Sequence, residues 1–150
     1  MNILATIFAL TLVVGQPASK PDFSGEWKMN VAKSDFGPLP PPTLITRSIT
    51  HAEPALAIAE EQQSAMGDQK TTRKYVTDGT ETTFDVNGAT VKSAAKWADA
   101  TLNVLSTADA IGITLDEMMS LSEDGKTLTS AIQIKSPQGD VTVTIVFERQ

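Results

Sequence analysis

Closely spaced turn signals are the feature that most constrains the fold of this chain. The clearest are the dipeptides Asp78-Gly79, Asn87-Gly88 and Asp124-Gly125, which predict hairpin turns. Their residues tolerate the positive φ that two-residue hairpin turns require. The segments between the turns show no helical period. The chain is therefore expected to fold as a series of short strands.

The segments between the turns are rich in Thr and Val, whose branched Cβ suits a pleated surface. We predict about ten strands from this spacing. They lie near residues 23–30, 43–51, 55–63, 69–77, 80–86, 89–97, 101–107, 112–122, 126–135 and 140–149. Almost every connection is short enough for a hairpin, so the strands should form an antiparallel up-and-down meander. Because an open meander exposes long edges, we expect an all-β barrel of about 8–10 strands.

Alternation of apolar residues indicates which side chains face the barrel interior. One inward set lies on the last strand: Val141, Val143, Ile145 and Phe147. On two other strands the inward face also carries Glu60 and Glu117, so we expect one apolar end and one more polar end. Small residues are also assigned to the interior: Thr90, Ala94, Thr127, Thr129 and Ala131. Such residues either leave a cavity or fit the taper of a narrow barrel.

An apolar run from Ile3 to Val14 opens the chain and is followed by small residues. This pattern is typical of a signal peptide, and the run is shorter than the about 20 residues that span a bilayer. Its lack of Lys and Arg is unusual, and the alternative is a buried N-terminal strand or helix. We predict a signal peptide over residues 1–18, a single domain over 19–150, and a periplasmic or secreted protein with no membrane span in the mature chain.

The composition excludes several classes of function. The formal net charge is −6, which disfavours nucleic acid as a partner, since basic patches supply most of that affinity. The chain has no cysteine and therefore no disulfides, thiolate chemistry or cysteine metal sites. It contains neither a nucleophile elbow nor a P-loop. With no catalytic constellation marked in the sequence, a binding or structural role is favoured over an enzyme, and no cofactor is predicted.

Two further features of the sequence are of a kind that can form sites. The single histidine, His51, lies near a turn and is expected at the surface rather than as a metal or haem ligand. The carboxylate pairs Glu60-Glu61 and Asp116-Glu117 are neighbours on strands, so the members of each pair point to opposite faces. Neither pair should converge on one ion or substrate, and no metal site is predicted.

The segment DFSGEWKM, residues 22–29, resembles the first strand of the calycins, which include lipocalins and fatty-acid-binding proteins. In that family Gly-x-Trp opens the first strand, and a basic residue near the end of the last strand packs over the indole. The resemblance implies that Trp27 and Arg149 form this pair at the bottom of a closed barrel, with Gly25 giving the chain room to bend. The longer DFSGEWKMNVAKSDFG also resembles uncharacterised exported bacterial proteins of lipocalin-like type.

The chain departs from fatty-acid-binding proteins in two places. A proline run, Pro38 and Pro40–Pro42, stands where fatty-acid-binding proteins insert a helical lid, and it forbids a regular helix. Those proteins often hold a carboxylate with Arg-x-Tyr on the last strand, whereas here that spacing occurs as Arg73 and Tyr75 on a middle strand. These two are the candidate ligand residues, and the alternative is a solvated face.

Two hypotheses about function follow from the sequence. The first is an exported barrel that binds a small apolar or amphipathic molecule. The second is a filled barrel with a structural or protein-interaction role and no ligand. The small interior residues are compatible with both, because they suit a cavity as well as a narrow barrel.

Overall fold

The computed structural model describes residues 19–150, and the predicted signal peptide lies outside the described residues. Within that range ten strands form one antiparallel sheet. They are β1 (Gly25–Met29), β2 (Leu44–Ala52), β3 (Ala55–Gln63), β4 (Gln69–Val76), β5 (Asp78–Val86), β6 (Ala89–Ala98), β7 (Thr101–Ala108), β8 (Ile113–Leu121), β9 (Thr127–Ser136) and β10 (Gly139–Arg149). The predicted all-β meander is confirmed, and the largest differences in strand bounds are at the starts of β1 (25 against 23) and β5 (78 against 80).

The sheet curls into a nearly closed barrel, because its first strand pairs with its last. The strand order is β4-β3-β2-β1-β10-β9-β8-β7-β6-β5. The ladder between β1 and β10 aligns Trp27 with Arg149 and Met29 with Phe147. Strands β4 and β5 remain as the two edges of this sheet. We call the seam between them the β4–β5 slit.

The prediction of a hairpin at Asp78-Gly79 is wrong, because β4 and β5 are the two edges of the sheet and do not pair in a ladder. The chain turns at the buried Thr77, whose N–H donates to the carbonyl of Pro54 at 2.8 Å. The hydroxyl of Thr77 also donates to the Glu53 carboxylate at 2.9 Å. These bonds tie the chain to the turn between β2 and β3, so β5 leaves β4 instead of folding back along it.

One aromatic contact bridges the β4–β5 slit. The ring of Tyr75 on β4 meets the ring of Phe84 on β5 edge-to-face, with 6.3 Å between their centroids. Such a pair contributes about 0.5–1.5 kcal/mol beyond the area it buries. Side chains therefore hold this flank together where ladder hydrogen bonds do not.

Large apolar side chains fill one end of the barrel, which we call the closed end. The largest fully buried members are Phe23, Trp27, Leu56, Ile58, Leu102, Met119, Leu128 and Phe147. Each large side chain stabilises the fold by about 1.5–3 kcal/mol when fully buried. The opposite end, where β2, β4 and β6 begin and β3, β5 and β7 finish, is the open end.

The small residues that face the interior are not the ones predicted. The buried Leu128 fixes the inward face of β9, so Thr127, Thr129 and Ala131 point away from the interior. The same alternation on β6 turns Thr90 and Ala94 outward. The small residues that are buried instead are Ser93, Ala95, Ser106, Ala108 and Ser130.

The proline-rich segment between β1 and β2 lies along the exposed flank of β10. It contains one short 3-10 turn, Val31–Lys33, and no regular helix within its described residues. The backbones of Asp35 and Thr144 exchange two hydrogen bonds of 2.7 Å. Phe36 packs against the interior cluster. The segment therefore covers the part of β10 that the short β1 does not reach.

The expectation that His51 lies at the surface is wrong, because its side chain is only 3% exposed. Its ring stacks on Phe23 and Trp97, with centroid distances of 5.7 and 6.0 Å. Nδ1 accepts the N–H of Phe23 at 3.2 Å, so Nε2 carries the proton and donates to the Glu53 carboxylate at 2.8 Å. Partial burial raises the pKa of Glu53, but hydrogen bonds from His51, Lys20 and neighbouring donors outweigh it and lower the pKa to about 2.

Candidate functional site

A cavity of about 590 Å³ occupies the open half of the barrel. Pockets of about 300–1,000 Å³ are typical of small-molecule sites. Most of the wall is apolar and comes from inward residues of seven strands: Ile45, Phe84, Val86, Val91, Ala108, Ile113, Leu115, Ile132, Ile134 and Ile145. Some of these side chains, such as Ile45 and Ile145, are buried in the wall, whereas Phe84, Ile132 and Ile134 are only partly buried.

Five polar side chains form a layer between this cavity and the apolar closed end. We call Arg47, Glu60, Arg73, Glu117 and Ser130 the charged layer. The first four line the cavity, and all five occupy inward positions near the middle of β2, β3, β4, β8 and β9. The inward face of β3 turns polar toward the open end, as predicted, with Leu56 and Ile58 buried at the closed end and Glu60 and Gln62 on the cavity. On β8, by contrast, the charge of Glu117 lies between apolar residues.

Arg47 is the centre of the charged layer, and its side chain is only 2% exposed. Its Nε donates to Glu60 Oε2 at 2.6 Å. Its Nη1 donates to Glu117 Oε1 at 3.1 Å and to Ser130 Oγ at 2.8 Å. The Ser130 hydroxyl in turn donates to Glu117 Oε1 at 2.7 Å. The guanidinium also lies 4.5 Å from the ring centroid of Phe147. It is therefore held both by these hydrogen bonds and by contact with an aromatic ring.

Arg73 completes the layer from the side of β4. Its Nη2 donates to Glu60 Oε2 at 3.1 Å, and its Nη1 lies 3.6 Å from Glu117 Oε2. Each glutamate therefore contacts both arginines, and the four formal charges cancel. The Nε of Arg73 is buried and has no hydrogen-bond partner among the described residues.

The two glutamates of the layer are ionised. Burial raises the pKa of Glu60 and of Glu117, but the positive charges of Arg47 and Arg73 oppose this effect and exceed it. The pKa of each carboxyl is consequently held below its ordinary value. Burial raises the pKa of the neighbouring Tyr75, so its phenol stays protonated at neutral pH.

The candidate ligand residues Arg73 and Tyr75 both face the interior, so a solvated face is excluded for them. Arg73 lies on the cavity floor, and Tyr75 lies one inward position closer to the closed end, where it is 3% exposed. A role for either in binding a ligand stays a prediction.

The sequence interpretation missed Arg47 and Ser130, and it missed the convergence of Glu60 with Glu117. The neighbours within each carboxylate pair do diverge, and exposed Glu61 contacts Lys70 at 2.7 Å instead. The sequence did contain a signal for the contact between Arg47 and Glu60. The turn at Glu53-Pro54 sets a hairpin register that aligns these two residues.

At the closed end, the guanidinium of Arg149 lies 4.3 Å from the ring centroid of Trp27. It also donates to the carbonyl of Gly125 from Nε at 2.8 Å and to that of Ser24 from Nη1 at 2.6 Å. Gly25 has a φ of +135°, and a Cβ at this position would collide with the Arg149 guanidinium. The stabilising role of these three residues stays a prediction.

Residues 19–150 contain no group of three or more His, Asp or Glu side chains arranged to hold a metal ion. The single histidine is engaged by Phe23 and Glu53. No helix within the same residues is long and apolar enough to cross a membrane.

The fold is an antiparallel ten-stranded meander, nearly closed into a barrel, with an internal cavity. No family model and no curated protein matches the sequence. Among solved structures, a secretory abundant heat soluble protein from Ramazzottius varieornatus superposes with a TM-score of 0.67 at 11% identity, covering 90% of this chain and 100% of that chain. The zebrafish ileal bile acid-binding protein complexed with cholic acid superposes with a TM-score of 0.61 at 14% identity, covering 85% of this chain and 98% of that chain. Fatty-acid-binding protein 1 of Echinococcus granulosus superposes with a TM-score of 0.57 at 11% identity, covering 85% of this chain and 96% of that chain.

Identities at this level show a shared fold and no more. The predicted antiparallel barrel is confirmed, and the structures that it resembles are calycin-like β-barrels. The resemblance to exported bacterial proteins stays a prediction, since no curated protein matches the sequence.

Proposed function

We propose that this protein binds a small, largely apolar molecule in the cavity of its open half. The observation that carries the proposal is a space of about 590 Å³ with apolar walls above the charged layer. Burial of apolar ligand surface against such walls is favourable by about 25 cal/mol per Å². Two structural neighbours named for binding bile acids and fatty acids support the same use of the barrel. A filled barrel would instead pack side chains through both halves.

The cavity is tested with the neutral fluorescent probe N-phenyl-1-naphthylamine and a substitution that fills the space. Ala108→Trp places an indole in the cavity, because Ala108 lines it and is only 6% exposed. The matched control is Ala59→Trp, on the exposed outer face of β3. We expect fluorescence titration to show probe binding by wild type and Ala59→Trp, and binding at least about tenfold weaker for Ala108→Trp, or about 1.4 kcal/mol.

Circular dichroism establishes that both variants fold before they are titrated. Solvent extraction of purified wild type followed by mass spectrometry provides the second measurement, and we expect a reproducible bound molecule. If the probe does not bind wild type and extraction yields nothing reproducible, the filled-barrel alternative replaces this proposal.

We further propose that the protein is exported to the periplasm or secreted. The support is the apolar run from Ile3 to Val14 and the small residues that follow it. N-terminal sequencing of protein produced in a Gram-negative host is expected to start between Gln16 and Lys20. A soluble cytoplasmic product that retains Met1 would contradict export.

A further inference from the structure

We infer that the charged layer makes the cavity select uncharged ligands whose polar end accepts a hydrogen bond, such as an alcohol or a carbonyl, over carboxylates. The inference rests on the proposed function and adds the chemical class of the polar end. Glu60 and Glu117 are then the residues that determine specificity, because they neutralise the two arginines of the cavity floor.

The balance of charge is the first argument. Of the described residues that line the cavity, the cations are Arg47 and Arg73 and the anions are Glu60 and Glu117. A ligand carboxylate would add a third negative charge to a buried group whose charges already cancel. To pair with an arginine it would have to displace a glutamate, which would then be a buried charge without its partner. Both outcomes are costly in a site removed from water.

The hydrogen-bond donors of the two arginines are the second argument. Arg47 is 2% exposed and directs its Nε and Nη1 to partners within the layer. Arg73 directs both of its terminal nitrogens to the glutamates. The buried Nε of Arg73 and the Nη2 of Arg47 make no hydrogen bond among the described residues, so the floor keeps N–H donors that its own carboxylates do not use. A single neutral oxygen satisfies one such N–H without adding charge.

The polar residues nearer the open end do not change this balance. They are the uncharged Gln62, Gln69, Thr71 and Asn87. None of them offsets a negative charge on the ligand, so the discrimination depends on the layer itself. Removing one negative charge from the layer should therefore admit a carboxylate.

The test compares decan-1-ol with decanoate, which share a chain length and differ in the charge of the polar end. Each competes with N-phenyl-1-naphthylamine for the protein at pH 8. For wild type we expect decan-1-ol to displace the probe at least about tenfold more effectively than decanoate. In Glu117→Gln, which keeps the shape of the side chain, we expect the preference to shrink or reverse.

The matched control is Glu61→Gln, which removes an exposed carboxylate that contacts Lys70 and leaves the layer intact. This variant should keep the wild-type preference. A wild-type measurement at pH 4 needs no variant, because protonation of the fatty acid should bring its affinity toward that of the alcohol.

The outcomes separate the two proposals. Equal displacement of the probe by decan-1-ol and decanoate at pH 8 would overturn the inference while leaving the binding function intact. A folded Glu117→Gln variant with the wild-type preference would overturn the role of the layer. Failure of the probe to bind wild type at all would overturn the proposed function itself.

Discussion

Trp27→Ala should lower the free energy of unfolding by about 3–5 kcal/mol, as expected when a large core aromatic is truncated. The indole is 1% exposed, and its Nε1 donates to the carbonyl of Phe23 at 2.9 Å. The substitution removes these contacts and leaves a cavity in the closed end. The loss is a large share of the ~5–15 kcal/mol that typically stabilises a domain. Urea unfolding followed by circular dichroism measures it.

Arg149→Ala should cost less, about 1–2 kcal/mol, because the guanidinium stacks on the indole but is partly in solvent. Arg149→Lys should restore only part of this, since lysine lacks the planar group that stacks and donates at once. A double-mutant cycle with Trp27→Ala should show that the two effects are not additive. A coupling energy of zero would mean that the contact with Trp27 does not stabilise the closed barrel.

Arg47→Leu should destabilise the protein by about 3–5 kcal/mol at pH 7, because it leaves buried carboxylates without one of their partners. Arg47 is the only residue of the charged layer that donates at once to Glu60, Glu117 and Ser130. The comparison variant is Lys70→Leu, which breaks the exposed pair with Glu61. Exposed pairs contribute about 1 kcal/mol or less, so this control should change stability little.

The deficit of Arg47→Leu should also depend on pH. In wild type the pKa values of Glu60 and Glu117 lie below the ordinary value of 4.5, so these groups add stability above pH 4.5 that is lost as the pH falls through the lowered values. Without Arg47, less positive charge opposes the effect of burial, so the pKa values of Glu60 and Glu117 in the folded variant rise. Protonation of these carboxylates on acidification should then relieve part of the destabilisation. Urea unfolding at pH 7 and pH 4 should show a smaller deficit at pH 4. An equal deficit at both pH values would contradict the assigned electrostatics.

The strands were predictable because their signals are local. Tight-turn residues and the alternation of apolar side chains are properties of short segments, and they placed every strand of the described chain close to its observed bounds. The exception is Asp78-Gly79, where the local signal predicts a hairpin. Its failure has a distant cause, because Thr77 is held by Glu53 and Pro54 from another turn. Such contacts are not encoded in the spacing around the dipeptide.

The site was predictable only in part. The Arg-x-Tyr spacing singled out Arg73 and Tyr75, and both face the interior. Arg47 was missed because a lone arginine in a strand usually lies at the surface. The convergence of Glu117 with Glu60 depends on which strands face each other across the barrel. That relation is set by closure of the whole sheet and not by any hairpin register.

The β4–β5 slit is the seam of the described barrel whose opening would break no ladder hydrogen bond. Every other seam between neighbouring strands is held by ladder hydrogen bonds, so parting it requires local unfolding. At the slit the contact between Tyr75 and Phe84 is made by side chains, and Phe84 also lines the cavity. Rotation of an aromatic ring is far faster than the loss of a strand. In the described barrel, opening this flank would therefore cost side-chain contacts, whereas opening any of the nine paired seams would cost backbone hydrogen bonds.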